Sequence, residues 1–254
     1  EKIARSQAAS QLMLVMEASG VFSEKIDALK AQVKDGVIPP SVMKEAVAVN
    51  GAAAAMIKGF ADGSGNPQLF DEQLMAAFLS VQGWKVIELA TGEGKTTVTA
   101  VVAMTNALTG KGALAVSTKD QLAREGFEKI GFALGRLTGM KTQMRLDEDY
   151  AEPELKTVGT EMVYGAAAKA GERMDHERIK KAYDADVTYV NIQNWAFDFS
   201  NDVLEVKRGQ NNFLIRGGRH SEMSAVIDEM DSVTIDQALT SFIRAQGSGK
   251  KVLA

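Results

Sequence analysis

The 254-residue chain contains no cysteine. That excludes disulfides, thiol nucleophiles and cysteine-ligated zinc, and it is compatible with a reducing compartment without requiring one. Histidine occurs only at His176 and His220. Both lie in polar surroundings with no partner at ligand spacing, so the sequence offers neither an imidazole metal cluster nor a nucleophile triad. No run reaches the about 18 apolar residues that a membrane-spanning helix requires, and residues 12–16 are too short to serve. The N-terminus lacks the basic start of a signal peptide, and it opens on Glu1 rather than Met, which reads as a trimmed or excised piece. An excess of basic charge is missing as well. Lysine and arginine number 29 against 33 acids, a net charge of −4 that argues against a dominant nucleic-acid face.

What is present is an ordinary globular composition, 45% hydrophobic and 24% charged. The length suits one large α/β domain, or a domain with a smaller appendage. The chain is organised around residues 85–97. Val86, Ile87 and Leu89 predict a short strand, Gly92 and Gly94 a turn, and the apolar spacing from Thr96 through Val98, Val101, Met104 and Leu108 a helix. A tight turn between a buried strand and a helix start is a phosphate site. Free N–H groups point outward there, and the helix dipole favours an anion. Gly92 and Gly94 let the backbone approach phosphate, Lys95 can reach the outer phosphates, and the Thr96 hydroxyl can ligate magnesium. The strict Gly-x-x-x-x-Gly-Lys-Thr pattern fails at its first position, which is Leu89. What remains, Ala90-Thr91-Gly92-Glu93-Gly94-Lys95-Thr96, is the variant of helicase-like motors.

Around this stretch the chain reads as follows. Residues 1–60 are helical, with Ile26, Leu29 and Val33 on one face and Gly36 as a stop. Pro39-Pro40 break the chain, and Ser41 is placed to cap a helix running through Val42, Ala46, Val49 and Ile57. A loop over 62–67 precedes a helix carrying Gln73, whose amide can both donate and accept and so can read an adenine edge. Strands are expected at 113–117, 141–146, 186–190 and 224–227, with a capped helix after Ser117. Further helices are expected around 164–170 and 176–183, aromatic core packing at 194–199, and a basic loop over 205–221. Asp228 and Glu229 end the last strand, where parallel sheets place ligands. Asp228 can hold magnesium and Glu229 can polarise an attacking water.

Several segments, taken together and in order, resemble the first nucleotide-binding domain of the SecA-type preprotein translocase ATPases. They are Phe70-Asp71-x-Gln73-Leu74, Thr91-Gly92-Glu93-Gly94-Lys95-Thr96, the run from Asn106 to Gly112, Asp120-x-Leu122-Ala123-Arg124, Ala185-Asp186-Val187-Thr188-Tyr189, Phe197-Asp198, and Asp228-Glu229-x-Asp231-Ser232-x-x-Ile235-Asp236. The resemblance implies a RecA-like P-loop α/β domain with a mainly parallel sheet over 61–254, and an N-terminal helical segment over 1–60 packed on it. It implies ATP and Mg2+ as cofactors, with Phe70 and Gln73 at adenine, and Thr91, Gly92, Glu93, Gly94, Lys95 and Thr96 around the phosphates. Thr96 and Asp228 would serve the metal, with Glu229 and Lys95 in catalytic roles. A preprotein and a membrane translocation channel are the implied partners, nucleic acid is not, and the implied location is cytoplasmic or peripheral at a membrane.

The departures are Ala90 in place of a basic residue, Gln68-Leu69 in place of Met-Arg, and Gln237-Ala238-Leu239-Thr240-Ser241 in place of Glu-Ala-Arg-Thr-Pro. With one phosphate loop and one acidic strand end, the chain reads as half of an ATP-hydrolysing site, expected to bind nucleotide and turn it over slowly by itself. The alternative is the same domain reused in a larger protein as a nucleotide-binding interaction module with little or no hydrolysis.

Overall fold

The computed structural model describes residues 19–61, 68–83, 86–90, 92–146, 155–158, 161–164 and 176–230. Its centre is a sheet of four parallel strands in the order β2-β5-β1-β6: β1 (Ala113–Ser117), β2 (Thr142–Arg145), β5 (Val187–Asn191) and β6 (Ser224–Ile227). Ala115 pairs with Tyr189 on one side and with Val226 on the other. The two inner strands, β1 and β5, are buried at all five positions, as expected of strands covered on both faces. Side chains alternate between the faces. Ala113, Ala115, Val187 and Tyr189 join one core; Leu114, Val116 and Val190 join the other. Strands β3 (Leu155–Val158) and β4 (Glu161–Tyr164) form a separate antiparallel pair. The chain is therefore an α/β domain of the RecA-like kind.

The larger core is built by α1 (Val21–Lys30), α2 (Pro40–Ala61), α3 (Asp71–Val81), α4 (Lys95–Ala107), α5 (Asp120–Gly126) and α6 (Phe132–Thr138), with a π-turn over Phe127–Gly131 joining the last two. Ile26, Val42, Ala53, Val101, Met104 and Leu134 meet in it. The alanine-rich stretch of α2 allows close approach to α4, and a polar link joins them: Asn50 Nδ2 donates to Thr105 Oγ1 at 3.1 Å, and that hydroxyl donates to the Val101 carbonyl at 2.8 Å. The smaller core lies under α7 (His176–Tyr183) and α8 (Ile192–Lys207), where Ile179, Tyr183, Leu214 and Ile215 are buried.

Four expectations are corrected. Residues 86–90 form no strand. Ile87 and Leu89 lean on the larger core while Val86 is 85% exposed, so the segment has a strand's alternation of faces without ladder hydrogen bonds. Ser41 is not the cap of α2. The helix begins at Pro40, and the Pro39 carbonyl accepts the Met43 N–H at 2.9 Å; proline at the first helical position loses no needed donor. Of the aromatics in α8, Trp195 packs against the smaller core, whereas Phe199 is 40% exposed and meets the His220 ring edge-on at 4.5 Å. The span 205–221 is not all loop: α8 continues to Lys207, and short 3-10 turns occupy Arg216–Gly218 and His220–Glu222. Its middle is pulled inward because buried Asp202 accepts the N–H groups of Leu214 at 2.7 Å and Ile215 at 2.9 Å. The helix expected at 164–170 falls outside the described residues except for Tyr164, which ends β4.

One buried ion pair fixes the β2 side of the sheet. Arg145 grips Asp198 at both carboxylate oxygens, 2.6 and 3.0 Å, and the Tyr183 hydroxyl donates to the same carboxylate at 2.9 Å. Removing one member of such a pair strands the other charge away from water, so Asp198→Ala should lose about 3–5 kcal/mol of stability. Urea unfolding followed by circular dichroism measures it. A loss below about 1 kcal/mol, the size of an ordinary substitution, would show that the pair is not desolvated.

Candidate functional site

Parallel strands deliver their carboxyl ends to one edge of the sheet. At that edge lie Ser117 at the end of β1 and Thr118 after it, Asn191 at the end of β5, Asp228 and Glu229 after β6, and the start of α4. The α4 start is set by Gly94, which is left-handed at φ 76° and ψ 39° and whose carbonyl takes the Thr97 N–H at 2.9 Å. A side chain is excluded there twice over. The φ favours glycine, and a Cβ would run into the amide nitrogen of Gln73. Gly92, also at positive φ, faces open space instead.

Gln73 is 1% exposed and joins two of the predicted segments. Its Oε1 accepts the Phe70 N–H at 3.1 Å, closing the first turn of α3, and its Nε2 donates to the Glu93 carbonyl. Each end of the amide keeps one further bonding capacity, the second N–H and the second lone pair. Phe70 stays 64% exposed with the Lys58 ammonium 5.1 Å over its ring. Glu93 closes the loop on itself: its N–H donates to the Ala90 carbonyl at 3.2 Å, and its Oε2 accepts the Ala90 N–H at 2.8 Å. Lys95 is the first residue of α4 and Thr96 the second, and the Thr96 methyl leans toward Gly126 of α5. Thr91 lies outside the described residues, as do Asp231, Ser232 and Asp236.

Across the edge, the Asp228 N–H donates to the Val116 carbonyl at 2.9 Å, which extends the β6–β1 ladder by one residue and pins the carboxyl in place. Burial pushes the Asp228 carboxyl above its usual range. The Glu229 N–H on Oδ1, at 3.0 Å, works against this, the Glu229 charge adds to it, and Lys95 works against it. Glu229 itself is left-handed at φ 54°, a conformation that costs a non-glycine residue on the order of 1–3 kcal/mol and collects at functional sites. The Thr118 hydroxyl reaches Glu229 Oε2 at 3.4 Å.

Sequence reasoning gave Thr118 no role of its own and did not find the latch beside it. There the Asp120 carboxylate accepts the side-chain amides of Asn191 and, at 3.3 Å, of Asn194, while Asn191 Oδ1 caps α8 through the Asn194 N–H at 2.6 Å. The structure thus brings Gln73, Glu93 and Gly94 into one cluster, and Asp228 within electrostatic reach of Glu229 and Lys95. Phe70 stands outside both, with its ring exposed. Among the described residues no group of three or more histidines or acids could cage a metal. Magnesium does not need one: it is held through one or two carboxylates with substrate phosphates and water. A hydroxyl at Thr96 and a carboxylate at Asp228 are hard oxygen donors of that kind. Among the described residues no helix is long and apolar enough to cross a membrane.

Comparison with known proteins adds the following. The model of the SecA DEAD-like domain family matches residues 3–252. The protein translocase subunit SecA of Hyphomonas neptunium is 31% identical over 214 residues, covering 84% of this chain and 19% of that protein. The SecA subunit of Polynucleobacter asymbioticus is 31% identical over 222 residues, 87% of this chain and 20% of its own length. SecA 1 of Thermobifida fusca is 32% identical over 217 residues, 85% of this chain and 18% of its own. The chain therefore spans about a fifth of the length of these relatives.

The lifted carboxyl of Asp228 has a consequence for stability. Its native form holds a proton that the unfolded form has already released, so the native state binds more protons and stability falls as pH rises. The contribution is complete below the ordinary aspartate value of about 3.9 and is lost as pH climbs through the raised native value. Asp228→Asn, which cannot charge, should therefore gain in melting temperature relative to the parent as pH rises from about 4 and then level off. Thermal melts of both proteins between acid and neutral pH check this. A difference that is flat or shrinks with pH would contradict the burial of that carboxyl.

Proposed function

The chain belongs to the SecA DEAD-like domain family, and on that premise we propose that it is the ATP-binding motor unit of a protein-translocation-type ATPase, supplying one side of the hydrolytic site. The observation that carries this reading is the meeting of a glycine-bounded helix start with an acid pair at the same edge of a parallel sheet, close enough for Lys95 to favour the charge on Asp228. Gly92, Glu93, Gly94, Lys95 and Thr96, with Thr91, form the phosphate cradle. Phe70 offers a face for adenine, and Gln73 its remaining hydrogen-bonding capacity. Mg2+ would be held by Thr96 and Asp228, and when bound it would offset charge on the phosphates. Glu229 accepts a proton from the attacking water, held in place by its backbone bond to Asp228 and by Thr118. Residues 1–60 act as a helical segment packed on the motor unit over 61–254. The relatives are named as translocase subunits, so a preprotein and a membrane channel are the proposed partners, reached from the cytoplasmic side.

Three measurements test the reading. Lys95→Ala removes a charge-assisted contact of about 1.5–3 kcal/mol, so its Mg-ATP affinity by titration calorimetry should fall roughly 10- to 150-fold. An unchanged affinity rules out the phosphate loop. GTP should compete poorly with ATP, and equal competition removes Gln73 from base reading. Glu229→Gln should slow phosphate release by about 10²–10⁴ while leaving ATP affinity near that of the parent, the signature of a positioned base. Parent turnover should itself be slow, and turnover of several per second would instead show that the chain completes its own site.

A further inference from the structure

A phosphate loop works by offering N–H groups and a cation to an anion. This loop already contains an anion of its own. Glu93 sits between two glycines at positive φ, Gly92 at 90° and Gly94 at 76°, and that backbone lets its side chain fold back three residues to the Ala90 N–H, at 2.8 Å. The Glu93 N–H meets the Ala90 carbonyl at 3.2 Å, so two bonds draw the same pair of residues together. The Glu93 carbonyl is held in turn by buried Gln73. The Glu93 N–H and Oε2 therefore close the turn, its carbonyl is held from outside it, and the carboxylate remains at the surface.

We propose that Glu93 is an internal competitor for phosphate. Its carboxylate holds the turn from Ala90 to Glu93 shut and must leave the Ala90 N–H before a polyphosphate is seated. Once displaced, it lies next to the phosphate charge and repels it. The loop is thereby kept at an affinity below the one that Lys95 and the helix start could reach. The inference rests on the phosphate-loop reading above and deepens it. It also makes the effect depend on ligand charge: the more negative the ligand, the larger the penalty. Mg-ATP should feel it more than Mg-ADP, and adenosine should not feel it.

The experiment is calorimetric titration of Mg-ATP, Mg-ADP and adenosine into the parent chain, Glu93→Gln, Glu88→Gln and Lys95→Ala. The Glu93→Gln side chain keeps the shape and an acceptor for the Ala90 N–H while losing the charge. Repulsion between neighbouring charges at roughly 6 Å, between the limits of water and a protein surface, predicts Mg-ATP affinity about 3- to 100-fold tighter in Glu93→Gln. The gain should be smaller for Mg-ADP, absent for adenosine, and reduced at high salt. Glu88, exposed and two residues before Ala90, reports on charge that is not held in the turn, and Glu88→Gln should shift affinity less than about twofold. Unchanged or weaker ATP binding in Glu93→Gln overturns the proposal, as does an equal gain in Glu88→Gln. If Lys95→Ala binds ATP as well as the parent, the phosphate-loop reading itself fails. If Lys95→Ala weakens binding and Glu93→Gln does not tighten it, that reading stands and only the competitor role falls.

Discussion

Every strand of the central sheet runs the same way, and that constraint orders the rest of the molecule. Parallel strands cannot be joined by tight turns, so each connection crosses a face of the sheet as helix and loop. Both faces are covered in consequence, β1 and β5 are buried along their whole length, and the carboxyl ends gather at a single edge. The helix that follows the glycine turn must start at that edge, because α4 lies on the sheet face and packs against β1 and β6. The placement of Lys95 opposite Asp228 follows from topology before any local attraction acts.

That edge carries the chain's conflicts. Asp228 is partly removed from water and its charge is disfavoured by burial and by Glu229, with Lys95 opposing. Glu229 is held in a left-handed conformation. Gly94 has no room for a side chain beside the Gln73 amide, and Glu93 spends its carboxylate on a backbone N–H. Stability comes from elsewhere: the larger core, the Arg145–Asp198–Tyr183 network, and Arg216, whose guanidinium takes the carbonyls of Ala185 at 2.7 Å and Gly110 at 3.1 Å at the opposite edge. A rigid base and a strained upper edge are what a site that must change partners requires.

Much of this was legible in the residues. Short apolar runs identified β1, β5 and β6, and the inner pair β1 and β5 is buried along its whole length, whereas the edge strand β2 is mostly polar. The glycines and the Lys-Thr pair marked the α4 start, since few other reasons put that chemistry there. What could not be read is what depends on distant partners. Residues 86–90 have the composition and alternation of a strand, but pairing is a property of the neighbour's edge. Leu214 and Ile215 looked like part of a basic loop because the carboxylate that buries their N–H groups belongs to Asp202, on a helix ending well before them. The contacts of Thr118 with Glu229 and of Asp120 with Asn191 span 111 and 71 positions, beyond any local pattern. Gln73 stood out through its surrounding motif, yet nothing local showed that its amide would be tied to Glu93.

On the proposed function, nucleotide sits at the carboxyl edge of the sheet and not at its base. Hydrogen exchange read by mass spectrometry, with and without Mg-ATP, tests it most directly. The opposite edge provides the internal comparison, because it has a cleft of its own, about 270 Å³ and lined by Lys30, Val33, Gly36, Thr109 and Asp186. Mg-ATP should slow exchange in peptides covering 92–98 and 226–230 and leave those covering 30–37 and 107–112 unchanged. Protection confined to the basal cleft, or none at the α4 start, would contradict it.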